Sequence, residues 1–253
     1  MAGEKLTRET VIEQALALAD AEGVEGVTIR RLASRLGVTP MALYWHFKHK
    51  DELLGGLAEF VLAGVTAAVS PGDSWQKRLR AMVEAIVRVM RMHPCLPDLL
   101  AVVEVKNDIE SFKRATELSL ELLTTAGFTL NESYDVAGYL LNGAVALVKS
   151  QPYCPPNRSA AEEAESRRQH KLRLESLPPD RYPHMIAYGA TLGEPPDRER
   201  YFAFGVDLLL AGIEAMAADK TRVPAGRERC ASPDGEATAP AGGEPRAPAG
   251  GAV

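Results

Sequence analysis

Three threonines near the N-terminus, Thr7, Thr28 and Thr39, each follow an apolar residue and open a helical pattern. Each hydroxyl stands where an N-cap oxygen accepts from an unpaired backbone N–H of the first turn. Each cap is bracketed by an apolar pair: Leu6 with Val11, Val27 with Leu32, Val38 with Leu43. Such pairs are hydrophobic staples, which set the angle at which the chain enters a helix. Pro40 suits a first helical position, where no N–H is needed. Gly37 tolerates the left-handed backbone that closes a helix. The pattern predicts a helix over roughly 7–22 with Val11, Ile12, Ala15, Leu16 and Ala19 on one face. Two shorter helices follow, joined at Gly37. Three short helices therefore pack into a small head, with the third held outward.

The charge of this head is unlike that of the rest of the chain. Residues 28–50 carry Arg30, Arg31, Arg35, Lys48 and Lys50 and no Asp or Glu, in a chain of net charge -5. A basic island in an acidic protein marks a surface that meets a polyanion. A helix-turn-helix presents one helix end to a DNA groove.

Beyond the head the periodicity stays helical. A helix is expected from Asp51 and Glu52 to about Val69, acidic side chains favouring its positive end. Ser70–Asp73 breaks it. A helix with Trp75, Leu79, Met82, Ile86 and Met90 on one stripe comes next, then a proline-interrupted turn from His93 to Pro97. Further helices are expected at about 98–105, 108–126, 132–150, 183–191 and 197–218. Pro152, Pro155 and Pro156 stop the one at 132–150. Ser159-Ala-Ala-Glu162 is a capping-box pattern that opens a highly charged, loosely docked helical excursion to about Leu177. Past Asp219 the chain is Ala, Gly, Pro and charge, which cannot offset the entropy of ordering, so a disordered tail is expected. The fold class is all-α. The expected units are a head at 1–50, a larger helical domain at 51–218 and a tail at 219–253. At 253 residues the chain can bury a substantial core. With no signal peptide or apolar run of membrane length visible, a cytoplasmic protein is expected. Cys95, Cys154 and Cys230 are scattered and odd in number, which points to reduced thiols.

The run Leu36-Gly-Val, followed by Leu43-Tyr-Trp-His-Phe-Lys-His-Lys-Asp-Glu-Leu-Leu54, resembles the DNA-binding module of TetR-type transcriptional regulators. Tyr201-Phe-Ala-Phe-Gly-Val-Asp-Leu-Leu-Leu-Ala-Gly-Ile-Glu214 resembles the last helix of the tetracycline-repressor branch of that family, and Ser74-Trp75-Gln76 and Gly127–Leu130 fall where the branch has comparable residues. The resemblance covers about residues 5–218. It implies a regulator whose helix 39–45 enters the major groove of a palindromic double-stranded operator. The DNA contacts it implies fall on Arg30, Thr39, Pro40, Met41, Ala42, Tyr44 and His46, with Lys50 on phosphate. Pro40-Met41-Ala42 stands where the branch has Gln, Pro and Thr, so thymine-methyl contact, Arg30 and DNA shape carry more of the readout here. Trp45 and Phe47 are expected to pack the head. His49 stands where the family often has Asn or Asp as a cap. His46 and His49 lack further ligands nearby, so no metal site is expected there.

The resemblance also implies a homodimer built on the helices at 132–150 and 197–218. Gly138, Leu141, Val145, Phe204, Leu208, Ala211 and Gly212 are the candidate interface residues, small residues allowing close approach. A pocket for a small-molecule inducer is expected among Phe60, Met82, Ile86, Met90, Leu122 and Val145, apolar and Met-rich walls suiting a flat aromatic molecule such as a polycyclic drug. His93 is the first anchor candidate, and a helix-end histidine is the competing reading. Where the branch has a magnesium-binding histidine this chain has Asn142, and where it has a ligand-contacting asparagine it has Leu118. An amide is a poor replacement for imidazole at a divalent site, so no metal or other cofactor is expected. The resulting expectation is a ligand-released dimeric repressor. A transcriptional activator and a ligand-binding or scaffolding module that no longer reads DNA are the alternatives. No triad or metal cluster supports an enzyme: His46, His49, His93, His170 and His184 have no carboxylate or Cys beside them at such spacing.

Overall fold

The computed structural model describes residues 6–66, 69–102, 108–151 and 159–222. Among them all regular structure is helical, in the order α1 (Arg8–Glu22), α2 (Ile29–Leu36), α3 (Pro40–Tyr44), α4 (Lys50–Leu62), α5 (Trp75–Met92), α6 (Leu96–Val102), α7 (Glu110–Thr125), α8 (Leu130–Lys149), α9 (Ala160–Glu175), α10 (Pro183–Ala190) and α11 (Arg198–Arg222).

The three threonine caps form as local chemistry requires. The Thr7, Thr28 and Thr39 hydroxyls accept from the N–H groups of Thr10, Arg31 and Ala42 at 3.1, 3.3 and 3.4 Å. Gly37 takes the left-handed conformation, φ 67°, that lets Val38 N–H reach back to Ala33 O at 3.0 Å and close α2. His49 caps α4, its Nδ1 accepting from Glu52 N–H at 3.1 Å. The head closes on Val11, Ala15, Leu32, Leu43 and Phe47, all 1% exposed or less.

α4 runs from the head into the larger body. It ends at Leu62, short of the expected Val69, because Val65 N–H closes onto Leu62 O at 3.0 Å. That tighter turn sends Val65 into the core. The body is a layered packing of α5, α7 and α8, with α6 against α4 and α11 against α8 and α5. α8 opens two residues before its expected start, on a reciprocal capping box between Thr129 and Glu132. The box at Ser159 and Glu162 opens α9, which packs against α10, and Arg198 reaches back from α11 to Glu163 at 3.0 Å.

α11 extends past its expected end at 218 to Arg222. Lys220 ties its last turn to Glu132 at 2.8 Å and lies 5.2 Å from the centre of the Phe128 ring. From Val223 on, the expected tail lies outside the described residues, as do Pro152, Pro155, Pro156, Cys154 and Cys230. The expectation of no membrane-length apolar run needs correcting. Among the described residues α11 is long and apolar enough to cross a membrane, with a stretch of mean hydropathy 1.5. It is instead bound along one side to α8. Gly143 leaves no room for a Cβ against Leu209, and Gly205 none against Leu147. The Tyr201 hydroxyl donates to Leu147 O at 3.2 Å.

Candidate nucleic-acid interface and ligand cavity

α3 is five residues long, and its orientation is set by two buried side chains. Leu43 and Phe47, four apart, point inward at 0% and 1% exposure. Residues between and before them must then face out. Met41 is 67% exposed, Tyr44 48% and Trp45 85%. Trp45 therefore corrects the expectation that it packs the head, because only one side of so short a helix can be covered. Phe47 does pack it. Thr39 and Pro40 are exposed at the helix start, and Ala42 and His46 are half-buried beside them.

The end of α3 is held by one guanidinium. Arg8 Nη1 donates to His46 O at 2.7 Å and to Glu52 Oε1 at 3.0 Å, and the group lies 4.2 Å above the Phe47 ring. Glu52 accepts in addition from Lys48 N–H at 2.8 Å. That backbone bond, and then Arg8, lower the Glu52 pKa below the usual carboxylate range. The turn between α3 and α4 is thus pinned from both sides.

The cations of the basic island divide into two kinds. Arg31 is paired with Glu22, Arg35 Nε donates to Gln14 at 3.2 Å, and Lys50 Nζ lies 3.9 Å from Glu25. Among the described residues Arg30 and Lys48 have no ion pair, and both are exposed. Arg30 is exposed on α2, which packs against α3 and its outward side chains. An always-charged fork beside apolar and phenolic groups can read guanine edges and thymine methyls.

A cavity of about 170 Å³ lies in the body. Met82, Val83 and Ile86 of α5, Leu100 of α6, and Phe112, Ala115, Thr116 and Ser119 of α7 form most of its wall. Tyr134, Ala137, Gly138, Leu140 and Leu141 of α8 close it, and Leu62 and Val65 at the end of α4 complete it. Among the described residues no charged side chain and no histidine lines it. Its polar groups are hydroxyls. Ser119 donates to Ala115 O at 2.7 Å and Ser111 to Glu59 Oε1 at 2.7 Å. The Thr116 and Tyr134 hydroxyls have no protein partner among the described residues.

Of the pocket residues named from sequence, Met82 and Ile86 line this cavity. Met90 and Leu122 are buried in the core and Leu118 and Val145 are partly buried, all four off the cavity wall. Phe60 lies instead in a cleft between head and body, beside Arg8, Glu59 and Ile109. Asn142 is exposed on α8. His93 also departs from its anchor role, because it ends α5 and points at the head. Its Nδ1 is 2.9 Å from Asp20 Oδ2, while Asp20 Oδ1 accepts from Cys95 N–H at 3.2 Å. The Cys95 thiol is buried, and burial pushes its pKa up. The sequence does not single out the hydroxyls of α7 and Tyr134; Ser111, Thr116 and Ser119 share a helix face with Ala115, yet nothing local says that the face meets a void.

The interface candidates fall on two surfaces. Phe204 and Leu208 are 67% and 68% exposed, Ala211 is exposed beside them, and Gly212 has open space before it. Gly138 and Leu141 belong to the cavity wall. Among the described residues no group of His, Cys, Asp and Glu could hold a metal ion.

Comparison with known proteins agrees with this geometry. Residues 11–57 match the profile of bacterial regulatory proteins of the tetR family, and residues 69–217 that of the tetracyclin repressor-like C-terminal domain. The HTH-type transcriptional repressor DrrR1 of Streptomyces coeruleorubidus is 32% identical over 221 residues, 85% of this chain and 80% of the relative. The class D tetracycline repressor protein of Escherichia coli is 29% identical over 217 residues, 84% of this chain and 91% of the relative. Among solved structures, the Streptomyces coelicolor TetR family protein ActR in complex with actinorhodin superposes with a TM-score of 0.68 at 25% identity, covering 85% of this chain and 99% of ActR. With its helix-turn-helix head and cavity-bearing helical body, the chain belongs to the tetR family of bacterial regulatory proteins and is a DNA-binding transcriptional regulator.

Proposed function

We propose that this regulator is a dimeric repressor, released from a palindromic operator by a small, largely apolar aromatic ligand bound without metal. One observation carries the reading: the first turn of α4 is tied through Glu52 and Arg8 to the end of α3, and its last residue, Leu62, lies in the wall of the cavity. Whatever moves that wall moves the head. Two recognition helices fit successive major grooves only at one spacing, about 34 Å apart. A ligand that prefers another spacing lowers DNA affinity by its differential affinity for the two states.

The lining supports the ligand class. Among the described residues the wall is uncharged, with hydroxyls at Thr116 and Tyr134, which suits a flat molecule with a few polar anchors, and those residues offer no carboxylate, thiol or imidazole to a cation. That ActR was crystallised with actinorhodin supports a small-molecule response in this branch. The cavity is smaller than the roughly 300–1,000 Å³ of drug-sized ligand sites. The walls must therefore separate to admit a polycyclic guest, which is the movement that release requires.

A second copy is supported by α11. Only 28% of its most apolar stretch is buried within the chain, and Phe204 and Leu208 stand on the uncovered side. Such a surface calls for a partner. In this reading Arg30, Thr39, Pro40, Met41, Ala42, Tyr44 and His46 approach the bases, and Lys50 the phosphates, with Trp45 added to that face.

The test is a gel shift with the DNA upstream of the gene and a panel of polycyclic aromatic compounds, actinorhodin included, with no added metal. Specific binding reversed by one compound is expected. Reversal that needs added magnesium, or binding no tighter than to random DNA, counts against the proposal.

A further inference from the structure

The body and the head are joined by apolar packing and, among the described residues, by two carboxylates. Asp20 of α1 holds His93 and Cys95 at the end of α5. Glu59 of α4 holds the first turn of α7, accepting from Ser111 N–H at 2.8 Å and from Ser111 Oγ at 2.7 Å. A carboxylate there satisfies an unpaired N–H and faces the positive end of the α7 dipole. Packed apolar surfaces can slide, whereas a pair of directional hydrogen bonds holds one geometry and fails sharply when displaced.

The two ties differ in what lies behind them. Neither His93 nor Cys95 touches the cavity. Ser111 is one of its lining residues and is 5% exposed, and Phe112 and Ala115 beside it line the wall too. Glu59 sits on the other side of that wall, in the head–body cleft with Arg8 and Glu52, the groups that pin the end of α3. A chain of contacts therefore runs from the cavity through Ser111 and Glu59 along α4 to the Arg8 hub beneath the DNA-facing helix.

We propose that Glu59 is a positioning residue for the ligand response: its bond to Ser111 transmits displacement of α7 to α4, while the Asp20 tie is a fixed pivot. This rests on the repressor reading above and names its regulation. A ligand that wedges α7 outward drags Glu59 with Ser111 and turns α4 and the head about Asp20. One that offers an acceptor to Ser111 Oγ removes one of the two bonds and frees α4.

Linkage is reciprocal, so the same path is readable from the DNA side. The experiment uses the full chain and a duplex selected from random sequences for tight binding, and reads hydrogen–deuterium exchange in residues 109–119 with and without duplex. In the unaltered chain the duplex is expected to change exchange there. Glu59→Ala is expected to cut that change to about a fifth, the low end of ordinary allosteric coupling. Glu59→Gln keeps a carbonyl for Ser111 N–H and should restore most of it, and Asp20→Asn should leave it intact. A purely structural role would alter exchange equally with and without DNA. If Glu59→Ala does not fold, Ser111→Ala replaces it, with the response expected to fall by about half. An undiminished response in the variant used, or no response in the unaltered chain, overturns the proposal while the bound duplex upholds the DNA-reading function. A selection that yields no duplex bound better than random DNA overturns the repressor reading and this inference together.

Discussion

The head and the cavity wall are both built from helices alone, yet they are packed to opposite ends. In the head Leu32, Leu43 and Phe47 are 1% exposed or less, every helix carries a side-chain cap, and Arg8 pins the last turn with three contacts. In the body five helices meet around a void, and two hydroxyls in its wall lack protein partners among the described residues. A surface that must present the same side chains each time is rigid. One that must admit a guest keeps space and unspent hydrogen bonds. In the proposed function, specificity belongs to the fixed part and response to the yielding part.

The largest break in that contrast is Phe47→Ala. It removes a buried ring and the guanidinium stack above it, and should cost about 3–5 kcal/mol. Urea unfolding with separate probes on the head and on Trp75 is expected to show the head melting first. If both signals shift together, the head is not the separately rigid part described here.

Arg30→Ala and Tyr44→Ala should each weaken operator binding by about 1–3 kcal/mol per lost base contact. Neither side chain supports the core, so the midpoint of thermal unfolding should stay put. Titration of a labelled operator decides it, and an unchanged affinity would move the reading surface elsewhere on the head.

In the cavity, Ala115→Leu should change stability by less than about 1 kcal/mol, since the added methyls enter space and do not overpack a core. DNA binding should be kept and release by ligand lost. A loss of stability like that of Phe47→Ala would mean the void is not available volume.

The smallest effect is electrostatic. Glu132 is the body's counterpart of Glu52, a carboxylate three residues into a capped helix. Lys220, and then the Thr129 N–H and hydroxyl, hold its pKa down to about 2. A depressed pKa stabilises the fold above the ordinary carboxylate range of about 4.3, and this contribution fades as pH falls toward 2. Glu132→Gln should flatten the fall in stability between pH 5 and pH 2, by little because the pair is exposed to solvent and salt. A slope identical to that of the unaltered chain would show the pair contributes nothing.

What the sequence disclosed follows from the range of the forces involved. Caps, staples and the turn at Gly37 act over five residues or fewer, so the head was legible, as were the charged opening of α9 and the end of α7. The box at Thr129 was equally local and was simply missed. Trp45 went astray because outward and inward residues of a five-residue helix cannot be told apart by periodicity. His93 went astray because its partner, Asp20, is 73 positions away. The cavity is harder still, since a void is a property of five helices together and leaves no mark on any one of them.

The crossing of α8 and α11 through Gly143 and Gly205 carries a consequence for assembly. Two helices interlocked by Leu209 seated on Gly143 and Leu147 on Gly205 behave as one stiff plate, whose outer side is Phe204, Leu208 and Ala211. In the proposed dimer, joining two such plates freezes few new torsions, so most of the apolar area covered is retained as affinity. Association should then be fast and strongly concentration-coupled to thermal stability, the melting point climbing with protein concentration.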